Sequence, residues 1–180
     1  MSNNSLAWFA VQVRSPLEQW LSVTLREKGY EEYLPTYRSR RTWSDRVKEI
    51  DQPLFPRYLF CRFDPMYRLP ILKTPNVQGI VSIGRAPIAI PDHEIEAVRR
   101  MVSEGKVAGP WPYLREGQHV RIRKGPLTGV EGILTEFKNR YRLVVSIELL
   151  QRSVAAEVDG DWVEVLHSGS ATSRPLARAL

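Results

Sequence analysis

The chain has 180 residues, 43% of them hydrophobic and 26% charged. That composition suits one large or two small globular domains and excludes bulk disorder or a repeat array. The net charge is +6 and there is one cysteine, Cys61, so an anionic partner is favoured and an intrachain disulfide is excluded.

A lone cysteine fits a reducing compartment. The start, Met1 to Leu6, is polar, and no apolar run approaches the roughly 20 residues needed to span a bilayer. A cytoplasmic protein without membrane contact is expected.

Residues 8–13, Trp-Phe-Ala-Val-Gln-Val, read as a mostly buried strand. A helix is expected next, with Ser15 as N-cap, Pro16 in the first position and Glu18 completing a capping box. Leu17, Trp20, Leu21 and Leu25 fall on one side of it, and Gly29 stops it. Residues 30–52 read as strands around an exposed loop, and Leu54 to Phe63 as a turn feeding a strand. Another strand is expected at 76–83. A second helix is predicted from Pro91 to Glu104, with Ile95, Val98 and Val102 inward and Gly105 as its stop.

Residues 105–114 hold two prolines and two glycines and are predicted to be a flexible linker. Short strands follow, at 118–123, 130–137, 141–147, 152–158 and 161–166, as expected of a small β-barrel. The domain reading is therefore 7–104, linker 105–114, barrel 115–167 and a disordered tail at 168–180. Residues 1–102 hold 15 Lys/Arg against 11 Asp/Glu, whereas residues 115–166 hold eight of each. The N-terminal domain carries most of the excess charge.

In Val120-Arg-Ile-Arg-Lys-Gly-Pro-Leu-Thr-Gly-Val-Glu-Gly-Ile-Leu134, Val120 and Ile122 alternate inward and Gly125-Pro126 makes a turn. Gly129 and Gly132 suit positive φ or a close backbone approach. This segment resembles the KOW motif, which ribosomal proteins also carry. Pro53-Leu-Phe-Pro-Arg-Tyr-Leu-Phe-Cys-Arg-Phe-Asp-Pro65 resembles the signature of the NusG N-terminal (NGN) domain, in the form seen in specialised RfaH- or UpxY-like paralogues. Together the resemblance to the NusG/RfaH family covers residues 7–166. It implies an α+β fold: an NGN-type antiparallel sheet packed with helices, linked to a small SH3-like KOW barrel.

On a strand, Tyr58 and Phe60 share one face while Leu59, Cys61 and Phe63 share the other. One face must pack the core; an exposed aromatic face would need a partner. The resemblance implies that this patch grips the clamp helices of the largest RNA polymerase subunit. Phe55, Tyr58 and Phe60 are then the contact residues, with Trp8 as a neighbour. The competing reading makes all four plain core.

The stretch from Arg38 to Lys48 has five basic residues, one acid and Trp43, which suits a phosphate backbone. The family places this domain near the non-template DNA strand, and Arg14, Arg38, Arg40 and Arg41 are the expected contacts. A solvated hairpin is the competing reading. Where RfaH carries a His-Thr-Thr motif for the polymerase gate loop, this chain has Met66-Tyr-Arg-Leu-Pro-Ile71.

The resemblance implies an elongation and antitermination factor that binds polymerase with one domain. Its KOW domain would recruit a small-subunit ribosomal protein or the termination factor Rho. A ribosome- or RNA-binding KOW protein without polymerase contact is the alternative. No enzyme is expected, because His93, His119 and His167 lie far apart, and neither a metal-ligand spacing nor a phosphate-binding glycine loop occurs. No cofactor is expected, and the chain is read as a monomer. RfaH-like proteins can refold an autoinhibited barrel into a helical hairpin. Here the β-branched residues Val144, Val145, Ile147, Val154 and Val158 favour strands.

Overall fold

The computed structural model describes residues 6–43, 46–105, 107–111, 117–137 and 140–166, and their side chains outside 40–48, 107–108 and 136–137. The first elements in chain order are β1 (Ala7–Val13), α1 (Glu18–Glu27), β2 (Glu31–Tyr33), β3 (Thr36–Trp43), β4 (Arg46–Pro53) and β5 (Tyr58–Phe63). After them come α2 (Leu69–Leu72), β6 (Val77–Ile80), β7 (Ser82–Ile83), β8 (Ala86–Pro87), β9 (Ala89–Ile90) and α3 (Asp92–Ser103). The sheet runs β2-β5-β1-β6, with β9 also pairing β1, and every pairing is antiparallel.

The near-continuous apolar run of β1 has a cause in this topology: the strand is central and covered on both faces. Phe9, Val11 and Val13 pack with Leu59, Cys61 and Phe63 against Leu21 and Leu25 of α1 and Ile71 of α2. Trp8, Ala10 and Phe60 point the other way, toward Ile95, Val98 and Met101 of α3. The register agrees, with Ala10 opposite Phe60 and Phe9 opposite Cys61.

The expected capping box at α1 is not made. The helix opens at Glu18 with Leu17 in the N-cap position and no side-chain cap. Glu18 is buried and instead accepts the Arg57 amide at 3.0 Å, fixing the turn before β5. The predicted second helix is α3. Its buried residues are Ile95, Val98 and Met101, whereas Val102 is only half-buried.

The second half builds one six-stranded antiparallel sheet, β10 (Val107–Trp111), β11 (Gln118–Ile122), β12 (Glu131–Phe137), β13 (Arg140–Ile147), β14 (Arg152–Val158) and β15 (Val163–Val165). Its order is β10-β14-β13-β12-β11-β15. The β-branched segments expected as strands are β13 and β14, and they pair from Tyr141 opposite Val158 to Ile147 opposite Arg152. Gly129 takes φ +85, and Gly132 lies where an added Cβ would come within 2.5 Å of the Val144 carbonyl oxygen. The motif glycines thus divide the two roles read from sequence.

Residues 107–111 correct one expectation. Read as flexible linker, they form β10 and pair antiparallel with β14 as the edge of the barrel sheet. Gly109 also brings the strand against the hairpin β3–β4, since a Cβ there would meet the Tyr37 ring at 3.4 Å. The rest of the expected linker, 112–114, and the expected tail, 168–180, lie outside the described residues. Among the described residues no helix is long and apolar enough to cross a membrane.

Candidate docking face and basic hairpin

The residues expected to form an exposed aromatic patch are placed otherwise. Trp8, Phe55 and Phe60 are 1%, 1% and 0% exposed. Trp8 and Phe60 are buried because their sheet face is the one covered by α3. Phe60 lies between Tyr33, stacked at 6.4 Å, and Phe55, edge-on at 5.4 Å. The Arg99 guanidinium sits 5.4 Å from the Trp8 ring and 5.0 Å from that of Tyr33. Tyr33 is sealed in by this packing, its hydroxyl has no partner among the described residues, and burial pushes its ionisation well above the ordinary value. Burial likewise pushes the Cys61 thiol up to about 12, with Glu32 and Glu31 adding to the effect, which makes it an inert core group.

Phe55 extends the same apolar cluster toward the barrel. It lies on the turn between β4 and β5 in an apolar cluster that continues into the barrel through Leu127, Val145 and Ile147. Here the two domains meet. Arg152, at the start of β14, donates to the Pro56 carbonyl at 3.0 Å and lies over the half-buried Tyr58 ring at 5.0 Å. On α3, Arg100 donates to the Thr128 carbonyl at 2.6 Å, and the Glu94 carboxylate accepts the Glu148 amide at 3.2 Å. Beside these contacts a cleft of about 1340 Å³ opens between α3 and the barrel, lined by polar and apolar residues alike, among them His93, Arg99, His119, Glu131, Val130 and Val145.

Of the four expected contact residues, then, three are buried and one is covered by the barrel. Residue-level reading missed Arg152, Arg100 and Glu94. No local signal marks them, because each acts on the other domain; the Arg152 contact spans 96 positions. Among the described residues no group of His, Cys, Asp and Glu is placed to hold a metal ion.

The basic stretch forms the two-stranded hairpin β3–β4, which pairs with no other strand. Its register sets Arg38 opposite Asp51 and Arg40 opposite Glu49, with Arg41 opposite Lys48. The acids of β4, Glu49 and Asp51, balance its own Arg46 and Lys48, so the excess positive charge of the hairpin lies on β3. Arg38 is exposed. The side chains of Arg40 and Arg41 lie outside the described residues. Arg14 is exposed at the end of β1, where its amide donates to the Asn76 carbonyl at 3.0 Å.

Comparison with known proteins agrees with this architecture. The family model described as transcription termination factor nusG matches residues 6–99. The transcription termination/antitermination protein NusG of Lactococcus lactis is 28% identical over 184 residues, covering 91% of this chain and 98% of that protein. Its counterpart from Thermus thermophilus is 26% identical, covering 86% and 96%. A solved structure described as "Domain interaction in Thermotoga maritima NusG" aligns over 90% of this chain and 98% of that one, with a TM-score of 0.55 at 20% identity. That alignment shows a shared fold. With the matched region spanning the sheet, α1 and most of α3, the chain belongs to the NusG family of transcription termination and antitermination factors.

Proposed function

We propose that this chain is an elongation and antitermination factor that grips RNA polymerase through its N-terminal domain and recruits a second partner through its barrel. The polymerase face is centred on the turn Leu54–Tyr58. One observation carries the reading. This turn is covered by the chain's other domain, through a guanidinium on a ring and a backbone carbonyl. A cover made by a tethered module is one that a competing ligand can displace, since it binds one arrangement better than the other. Displacing the barrel bares Phe55 and Tyr58 for the clamp helices of the largest polymerase subunit. It also frees the barrel for a ribosomal protein or Rho. The hairpin β3–β4 then lies beside the non-template strand, and the factor needs no chemistry. The Leu54–Phe63 segment favours a specialised RfaH- or UpxY-like paralogue.

Binding of the purified chain to a reconstituted polymerase elongation complex tests this. Arg152→Ala is expected to tighten binding and Tyr58→Ala to weaken it about tenfold or more, as for an aromatic interface anchor. Both variants should keep the wild-type circular dichroism spectrum. Folded wild-type and Arg152→Ala chains that do not bind polymerase would sink the reading.

A further inference from the structure

We propose that the face formed by the Tyr58 ring and the Pro56 carbonyl is a guanidinium site. Arg152 is its intramolecular occupant, and the polymerase element that displaces the barrel sets a cationic side chain, an arginine by geometry, in the same place. The proposal rests on the polymerase reading above and names the chemistry its docking face selects.

The site is defined by what holds Arg152. Its guanidinium carbon lies 5.0 Å from the Tyr58 ring centroid, and one terminal nitrogen donates to the Pro56 oxygen at 3.0 Å. Among the described residues no carboxylate pairs with it. Three other arginines differ. Arg99 has Glu31 and Glu96, Arg121 has Glu131, and Arg140 has Glu157. Arg152 is therefore recognised by a π face and a carbonyl lone pair alone. Such a recognition surface accepts cations without requiring a counter-ion.

The surface is built by the N-terminal domain and stays in place without the barrel. The Tyr58 amide donates to the Phe55 carbonyl at 3.0 Å, closing the turn around Pro56. Arg57 takes φ 71 within that turn. Its amide is held by the buried Glu18 carboxylate at 3.0 Å, and its carbonyl accepts the Val13 amide at 2.9 Å. The Arg57 side chain itself turns away, to Gln78 at 3.1 Å. The turn is thus tied to both β1 and α1, and a ligand meets a preformed site with little ordering cost.

The same geometry restricts what replaces Arg152. An apolar side chain makes no bond to the Pro56 oxygen and leaves it to water. A carboxylate meets the negative face of the ring and an oxygen acceptor together. A neutral donor satisfies the carbonyl and forgoes the ring. Only a cation uses both, and the planar fork of arginine reaches the two at once while stacking.

The test isolates the ring's electrostatics. In the full chain carrying Arg152→Ala, position 58 is replaced in turn by phenylalanine and its mono-, di- and trifluorinated analogues. Affinity is then measured for the reconstituted polymerase elongation complex. Fluorination drains negative charge from the ring face and changes its size little. Phenylalanine is expected to bind like tyrosine, with affinity falling stepwise to about tenfold below it at three fluorines. A flat series, with binding intact, overturns the guanidinium site and leaves the polymerase reading standing. Failure of every variant to bind polymerase, with folding preserved, overturns both.

Discussion

Two glycines of the KOW-like motif are required for different physical reasons. Gly132 is pressed against its partner strand, so a Cβ would approach the Val144 carbonyl oxygen to 2.5 Å, and backbone has nowhere to move inside a paired sheet. Gly125 faces the Trp162 ring, with the nearest approach at 2.6 Å, and has φ +82. Trp162 is only half-buried and can swing aside. Gly132→Ala is therefore expected to cost about 1–3 kcal/mol of barrel stability, the range for overpacking a filled site. Gly125→Ala is penalised instead by its positive φ, at about 1–2 kcal/mol, and denaturant unfolding of the two variants measures both costs. Sequence reading found these positions because glycine in a strand pattern demands an explanation. Tyr58 stands out in the sequence for the same kind of reason, an aromatic repeated on one strand face. Burial of Trp8 and Phe60 was not, since alternation separates two faces without saying which one a helix will cover.

At the scale of elements, most strands and both long helices were legible from periodicity and punctuation. The misses have specific causes. The capping signature at Ser15 and Glu18 lost to tertiary demand, because Glu18 is spent on the Arg57 amide. Residues 107–111 look like linker by their Gly and Pro content. An edge strand tolerates both, because one of its sides needs no partner. Pro110 sits opposite Val154 in that strand without breaking the pairing. The hairpin β3–β4 carries its own prediction. If Arg40 and Arg41 contact a phosphate backbone, neutralising both flattens the dependence of log affinity on log salt for a bubble template. The expected change is about 0.7 per lost contact on a single strand. An unchanged slope would remove these two residues from the DNA contact. It would leave the cross-strand pairing with Glu49 and Lys48 as the whole of their role.

At the scale of the molecule, the closed arrangement of the two domains was the least legible feature, because its contacts join distant positions with no repeating pattern. A pH dependence is expected of it. Burial raises the pKa of Glu94 above its ordinary 4.5, opposed by the hydrogen bond from the Glu148 amide and by His93, and reinforced by the Glu148 charge. A carboxyl whose pKa is raised when docked binds its proton more readily in the closed state. Closure therefore strengthens as pH falls through that raised pKa toward 4.5, and at neutral pH the charged form opposes it. Glu94→Gln keeps an acceptor for the Glu148 amide and removes the charge. It should favour closure at neutral pH and flatten the pH response below it, as read by energy transfer between labels on the two domains. A variant as pH-dependent as wild type would assign the response to another group.

The pairing of β10 with β14 also governs distance. While these strands stay zipped, the span between the end of α3 and the body of the barrel is only three residues, 104–106, and the barrel can do little more than pivot beside the sheet. Peeling β10 away adds at least its own five residues to the leash, about 17 Å of extended chain. The search volume open to the barrel then widens, and its effective concentration at any one target falls as the leash lengthens. An edge strand that is half tether and half sheet thus makes the working radius of the second domain an adjustable quantity.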